Sequence, residues 1–336
     1  MKVLITGASG FIGSNLVEKL AKEKYKIRAL IRDGELNNPD GRIESLKLLK
    51  NLGVEIVEGD LLNLDSLKKA VSGIDIIFHL GAIARPMAIP KERYFEVNEK
   101  GTKNLLEACK NKKIKIIIIM SSISAVGPSI GGKPINEKTV CKPIDTYGWS
   151  KLAQEKIAEE YLRKYKMPII FLRPSMVFGP RDFEMFKLFK AVNKRFFPIK
   201  GKEKCMEFLY VGNLIEACIL AIKKGKTGEK YHIANAEHYS INEIIKSIAK
   251  AEKVTMLPIT LPNFVFTLGG YAIEIIAKWF NFHPPFKHDT VIWMTKKFWY
   301  SDISKAREEL GYKAKITLDE GTKKTAEYYK ERGMIS

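Results

Sequence analysis

Apolar positions along the first half of the chain follow two alternating periods. Short β-branched and aliphatic runs at 2–5, 27–31, 54–57, 74–79, 114–120 and 169–172 read as strands. Between them, apolar residues three and four apart at 11–22, 61–71, 93–110 and 147–164 read as helices. The run at 114–119 lacks the apolar–polar alternation of a half-solvated strand, which predicts burial on both faces. Strands alternating with helices predict an α/β fold with a doubly wound parallel sheet. Past Pro174 the pattern loosens. Residues 183–197 are rich in aromatics, 209–223 look helical and 231–234 read as a short strand. A helix is expected at 241–250 with Ser240 as its N-cap, and another at 318–332. This predicts a sheet domain over residues 1–174 and a smaller, mainly substrate-binding C-terminal lobe over 175–336. Some segments of that lobe are expected to return to the sheet.

Composition narrows the class. The chain has 336 residues, 46% of them hydrophobic, enough for one large core or two linked ones. The formal net charge of +19 raises the question of a polyanionic partner. The basic residues are spread along the chain and no nucleic-acid recognition motif accompanies them, so a solvated lysine-rich surface is expected and no nucleic acid. Cys109, Cys141, Cys205 and Cys218 form no C-x-x-C pair and have no histidine cluster beside them. No metal is expected, and reduced thiols in a cytoplasmic protein are. Met1-Lys2 leads straight into the first strand, so no targeting segment is expected. The apolar stretch 263–280 carries Glu274 and Lys278 and is too short for a membrane span. It suits a greasy pocket wall or a peripheral membrane contact.

The chemistry begins at the first turn. Thr6-Gly7-Ala8-Ser9-Gly10-Phe11-Ile12-Gly13 links the first strand to the first helix. Gly7 suits a tight turn, Gly10 the close approach of a pyrophosphate, and Gly13 close helix–sheet packing. The N–H groups of Phe11, Ile12 and Gly13 at the helix start would face the phosphates. That is the dinucleotide turn of a Rossmann-type sheet. The second strand ends Ile31-Arg32-Asp33, with Ile31 at the place of the usual ribose-binding acid. Arg32 could pair with a 2′-phosphate, which favours NADP, whereas Asp33 keeps NAD as the alternative. Asp60 and Leu61, after the third strand, are candidates for the adenine, and Gly81 and Ala82, after the fourth, let a cofactor cross the strand ends. His79 reads as a packed structural residue.

Tyr147 and Lys151 stand four apart at the start of a helix, on one face. A nearby ammonium would lower the tyrosine pKa and fit the phenol for proton exchange. Ser121, Ser122 and Ser124 follow the fifth strand, where a hydroxyl could hydrogen-bond a substrate carbonyl oxygen or merely cap a turn.

Taken together, TGASGFIG at 6–13, GDL at 59–61, HLGA at 79–82, VNEKGTKNLLEA at 97–108, SSISAVG at 121–127, YGWSK at 147–151, LRPSMVFGPRD at 172–182, FLYVGNLIEA at 208–217 and DISKAREELGY at 302–312 resemble the extended short-chain dehydrogenase/reductase family, also called the NAD-dependent epimerase/dehydratase family. The resemblance covers nearly the whole chain. It implies a catalytic Ser122–Tyr147–Lys151 triad, with Ser122 placed by counting back from Gly127. It implies that Asn98 helps shape the cofactor face, that residues from Pro174 to Val177 pass beneath the nicotinamide, and that the helices around 98–109 and 147–164 pair in a homodimer. Sugar-nucleotide members carry an arginine where this chain has Cys205-Met206-Glu207-Phe208, with Glu207 near its place. The aromatic segments 183–197 and 264–280 suit an apolar small-molecule substrate. The pattern looks most like the dihydroflavonol reductase and 3β-hydroxysteroid dehydrogenase branch. The expected function is NAD(P)-dependent interconversion of a secondary alcohol and a ketone. The alternatives are a sugar-nucleotide epimerase or dehydratase, and a non-catalytic NADPH sensor.

Overall fold

The computed structural model describes residues 1–32, 43–84, 89–195, 206–255 and 298–335. Seven strands form one parallel sheet: β1 (Lys2–Thr6), β2 (Lys26–Ile31), β3 (Glu55–Glu58), β4 (Ile76–His79), β5 (Ile116–Met120), β6 (Ile169–Pro174) and β9 (Lys230–Ile233). Their order is β3-β2-β1-β4-β5-β6-β9. The chain therefore winds outwards in both directions from β1 and β4, as in a Rossmann-type fold. Outside the carboxyl ends of these two strands lies the crevice where such sheets bind ligands. A second pair, β7 (Met176–Phe178) and β8 (Phe208–Tyr210), runs parallel beside it.

Burial explains the missing alternation. Val3 and Ile5 of β1 enter one core with Leu16, Val17 and Leu20 of α1 (Phe11–Lys22) and Leu214 and Cys218 of α8 (Val211–Lys224). Leu4 of the same strand faces the other core with Leu105 and Leu106 of α5 (Gly101–Cys109) and Ala158 and Tyr161 of α6 (Thr146–Tyr165). Both sheet faces are covered, so both side-chain sets are apolar. The strand near 231–234 does return to the sheet, as β9 beside β6. Ser240 caps α9 (Ile241–Glu252) with a reciprocal bond to Glu243. The last helix, α10 (Leu318–Glu331), is capped by Thr317.

Two expectations need correction, and one helix was not anticipated. The segment 93–110 is not one helix: α4 (Lys91–Phe95) passes into a π-helical turn at Glu96–Lys100 before α5. The helix expected at 209–223 begins later, because Phe208, Leu209 and Tyr210 pair with β7. A helix at Ile43–Asn51 (α2), unforeseen in the sequence, packs Leu46 and Leu49 into the core. The segment 263–280, Cys205 and Asp33 lie outside the described residues. Among those described, no helix is long and apolar enough to cross a membrane, and no cluster of three metal-ligating side chains occurs.

Candidate active site

The crevice is built by backbone. Gly7 adopts φ +70°, a left-handed turn at the end of β1 that side chains disfavour. A Cβ on Gly13 would lie 2.1 Å from the Gly7 carbonyl oxygen, so only glycine lets α1 start this close to the turn. Gly10 caps α1 without a side-chain bond, and among the described residues a Cβ there would meet only the Gly7 oxygen within 4 Å. The first amides of the helix, Phe11, Ile12 and Gly13, have no carbonyl of their own helix to bond. This open, amide-lined surface fits a pyrophosphate. Gly81 lies against Gly7 across the crevice, with Ala82 half-buried after it. Leu61 packs beside Gly81 and Gly101, and Asp60 accepts from the Leu62 amide at 2.8 Å. Arg32 is exposed at the end of β2.

Beneath the crevice a buried polar chain holds the rim. Gly81 N–H donates to Thr6 Oγ1 at 3.0 Å, and Thr6 meets His79 Nδ1 at 2.8 Å. His79 Nε2 meets Thr102 Oγ1 at 2.8 Å, and Thr102 donates to the Asn98 carbonyl at 2.6 Å. Thr6 and Thr102 each spend their one proton only if His79 is neutral and carries its hydrogen on Nε2. Burial agrees, holding the imidazole pKa down to about 3. His79 is thus structural, linking the cofactor turn to the π-turn.

Asn98, expected among the cofactor contacts, is fully buried and its amide is taken up elsewhere. It donates to the Ile83 carbonyl at 3.0 Å and to Ser150 Oγ at 2.8 Å, and accepts from Ile83 N–H at 2.8 Å. The π-turn aims it at these partners. Asn98 therefore acts on the site by fixing the loop after β4 and the first turn of α6.

Helix α6 is capped by Asp145, which accepts from Gly148 N–H at 2.6 Å. A Cβ on Gly148 would lie 2.4 Å from the Ser124 carbonyl, so this glycine brings α6 against the short turn Ile123–Ala125. That approach sets Tyr147 beside Ser122, whose hydroxyl acts to lower the pKa of the phenol. Ser122 also caps the turn, accepting from Ser124 N–H at 3.1 Å. Ser121 instead donates to Glu155. Lys151 is buried, and its Nζ donates to the Met120 carbonyl at 2.6 Å. Pro174 ends β6, and half-buried Val177 sits in β7 beyond it. The three side chains proposed for catalysis therefore gather at the carboxyl rim.

Their protonation differs from expectation. Burial raises the Tyr147 pKa to about 12; the Ser122 bond opposes this and the charge of Asp145 adds to it. Burial lowers Lys151 to about 7, against the pull of Glu155. Loss of solvent is the largest cause for both groups, so the phenol is held protonated.

Two residues were not foreseen. Glu155 and Arg173 form a fully buried ion pair at 2.6 Å. The available signal was an acid eight residues after Tyr147 on the same face of α6, and an arginine inside an apolar strand. Glu207 is also buried: its carboxylate accepts from both the backbone N–H and the hydroxyl of Ser301. It pins the returning C-terminal segment.

A family model described as the NAD dependent epimerase/dehydratase family matches residues 3–236. The chain is 25% identical over 343 aligned positions to the decarboxylating sterol-4-alpha-carboxylate 3-dehydrogenase of Mus musculus, covering 98% of this chain and 91% of that one. It is 31% identical to an uncharacterized UDP-glucose epimerase of Bacillus subtilis over 74% of this chain and 81% of that one. Among solved structures, UDP-glucuronic acid 4-epimerase from Bacillus cereus in complex with NAD superposes with a TM-score of 0.77 at 27% identity, covering 98% and 99% of the two chains. With the crevice and rim in place and a matching model spanning most of its length, the chain belongs to the NAD dependent epimerase/dehydratase family.

Proposed function

We propose that the chain is an NAD(P)-dependent oxidoreductase that interconverts a secondary alcohol and a ketone on an apolar small molecule. The observation that carries this is the gathering of Ser122, after β5, with Tyr147 and Lys151 on one face of α6 at the rim of a dinucleotide crevice. When bound, the dinucleotide supplies or accepts the hydride at the carbonyl carbon. Ser122 orients the substrate oxygen. Tyr147, protonated at neutral pH, gives its proton to that oxygen as the new C–H bond forms. Lys151 steadies the phenolate left behind. The amides of Phe11, Ile12 and Gly13 with Gly7 and Gly10 would hold the pyrophosphate. Leu61 and Asp60 would meet the adenine, while Gly81, Ala82, Pro174 and Val177 would flank the nicotinamide side.

Arg32 supports NADPH over NADH, because an arginine exposed at the end of β2 suits a 2′-phosphate. Arg32→Ala is expected to raise the Kd for NADPH by about tenfold and that for NADH by less than twofold, reflecting one lost charged hydrogen bond. Equal weakening in a fluorescence titration contradicts the choice.

The epimerase reading is favoured by the similarity to two UDP-sugar epimerases. Glu207 speaks against it: a carboxylate bonded to Ser301 stands in the segment where sugar-nucleotide members carry a cation for the diphosphate. A panel of apolar ketones, alcohols and nucleotide sugars, scored with both cofactors, tests the proposal. Net NADPH consumption with a ketone is the expected result. Sugar interconversion without net cofactor turnover would establish the rival.

A further inference from the structure

The proposed chemistry leaves one buried ionic cluster unused. Tyr147, Lys151 and Glu155 stand four residues apart along α6, on one face. The Glu155 carboxylate is shut from solvent. It accepts from Ser121 Oγ at 2.5 Å, from Arg173 Nε at 2.8 Å and from Arg173 Nη2 at 2.6 Å. Lys230 Nζ lies 3.1 Å from it and also pairs with Glu159 at 2.6 Å. Ser121 follows β5, Arg173 is in β6 and Lys230 opens β9, so one side chain ties α6 to three consecutive strands. Two of its effects reach the proposed site. Ser121 is bonded to Ser122 through the backbone, and Lys151 donates to Met120, the residue before Ser121.

We infer that Glu155 is a positioning residue, seating Lys151 and Ser122 against Tyr147 and placing a negative charge one turn behind the Lys151 ammonium. The inference rests on the reading of Tyr147 and Lys151 given above. Around Lys151, β4 contributes neutral His79, and α6 contributes Tyr147 and Glu155. Arg173 of β6 and Lys230 of β9 pair with the Glu155 carboxylate, and Lys230 also pairs with Glu159. Removing the Glu155 charge takes away the attraction that favours protonated Lys151. It also strands Arg173 as a buried cation, which repels the ammonium. Both effects act in the same direction.

The test follows the ε-carbon NMR resonance of Lys151 against pH in the full-length protein, assigned by its absence in Lys151→Met. In Glu155→Gln the titration midpoint is expected to fall by about one pH unit, as expected for loss of a neighbouring opposite charge. Lys230→Met removes a cation facing the same carboxylate, and the midpoint is expected to rise. A residue that merely glued the fold together would lower thermal stability and leave both midpoints in place. Unchanged midpoints overturn the inference. If Glu155→Gln does not fold, Lys230→Met decides alone. No turnover enters this measurement, so it separates from the catalytic reading, which fails instead if Tyr147→Phe remains as active as the wild type.

Discussion

Tyr147→Phe is expected to cut ketone reduction by about 10²- to 10⁴-fold, the usual contribution of a positioned general acid. The substitution removes one oxygen from a half-buried ring and leaves its packing in place. NADPH affinity should stay within about twofold, because one neutral hydrogen bond contributes little net free energy. Stopped-flow turnover and fluorescence titration on the same preparation separate the two effects. The protonation state sharpens the expectation. With the phenol held near 12 by burial, Tyr147 enters the reaction as an acid, so the loss should be seen throughout the neutral range. A variant that binds cofactor and turns over normally would remove Tyr147 from the chemistry.

Gly13→Ala is the second large effect. Its Cβ would stand 2.1 Å from the Gly7 carbonyl oxygen and 2.9 Å from Ala8 Cα. Both are backbone atoms, so neither can rotate away as a side-chain tip would. Helix α1 must lift from the turn, carrying with it the amides proposed to meet the pyrophosphate. Overpacking of this kind costs about 1–3 kcal/mol, which for a chain of this size should lower Tm by several degrees. Dinucleotide affinity should fall by more than about tenfold, since the helix N-terminus is the proposed phosphate contact. Gly10→Ala is the contrast. Its Cβ meets the same oxygen at 3.2 Å and otherwise points into open space. Stability should stay close to the wild type while cofactor binding weakens, because the methyl group lies where the pyrophosphate would approach. Thermal melts and cofactor titrations of the two variants check the pair.

The central strands were legible because they are buried on both faces, so periodicity and burial agree. Val3 and Leu4 point to opposite cores and are both apolar. The first turn was legible for a different reason: glycine spacing encodes backbone geometry directly. Periodicity misled where geometry departs from a regular helix. A π-turn at 96–100 keeps an apolar rhythm close to that of an α-helix, and its purpose, aiming Asn98 at Ile83 and Ser150, lies in long-range contacts. Residues 208–210 continue an apolar run into α8, so only their pairing with β7 marks them as a strand. The protonation of Tyr147 and Lys151 was not legible at all. The four-residue spacing identifies a shared face, but desolvation depends on everything that covers that face. The same holds for Glu155 with Arg173 and for Thr6 with His79, whose contacts span 18 and 73 positions.

The proposal that this crevice and rim transfer a hydride to a ketone is tested most directly by isotope. The wild-type protein is given NADPH carrying deuterium at the transferable position and the ketone that consumes cofactor in the panel. Deuterium on the carbinol carbon of the product, with one NADP⁺ formed per alcohol, is the expected result. Product without the label, or label scrambled within a sugar with no net cofactor oxidised, would contradict it.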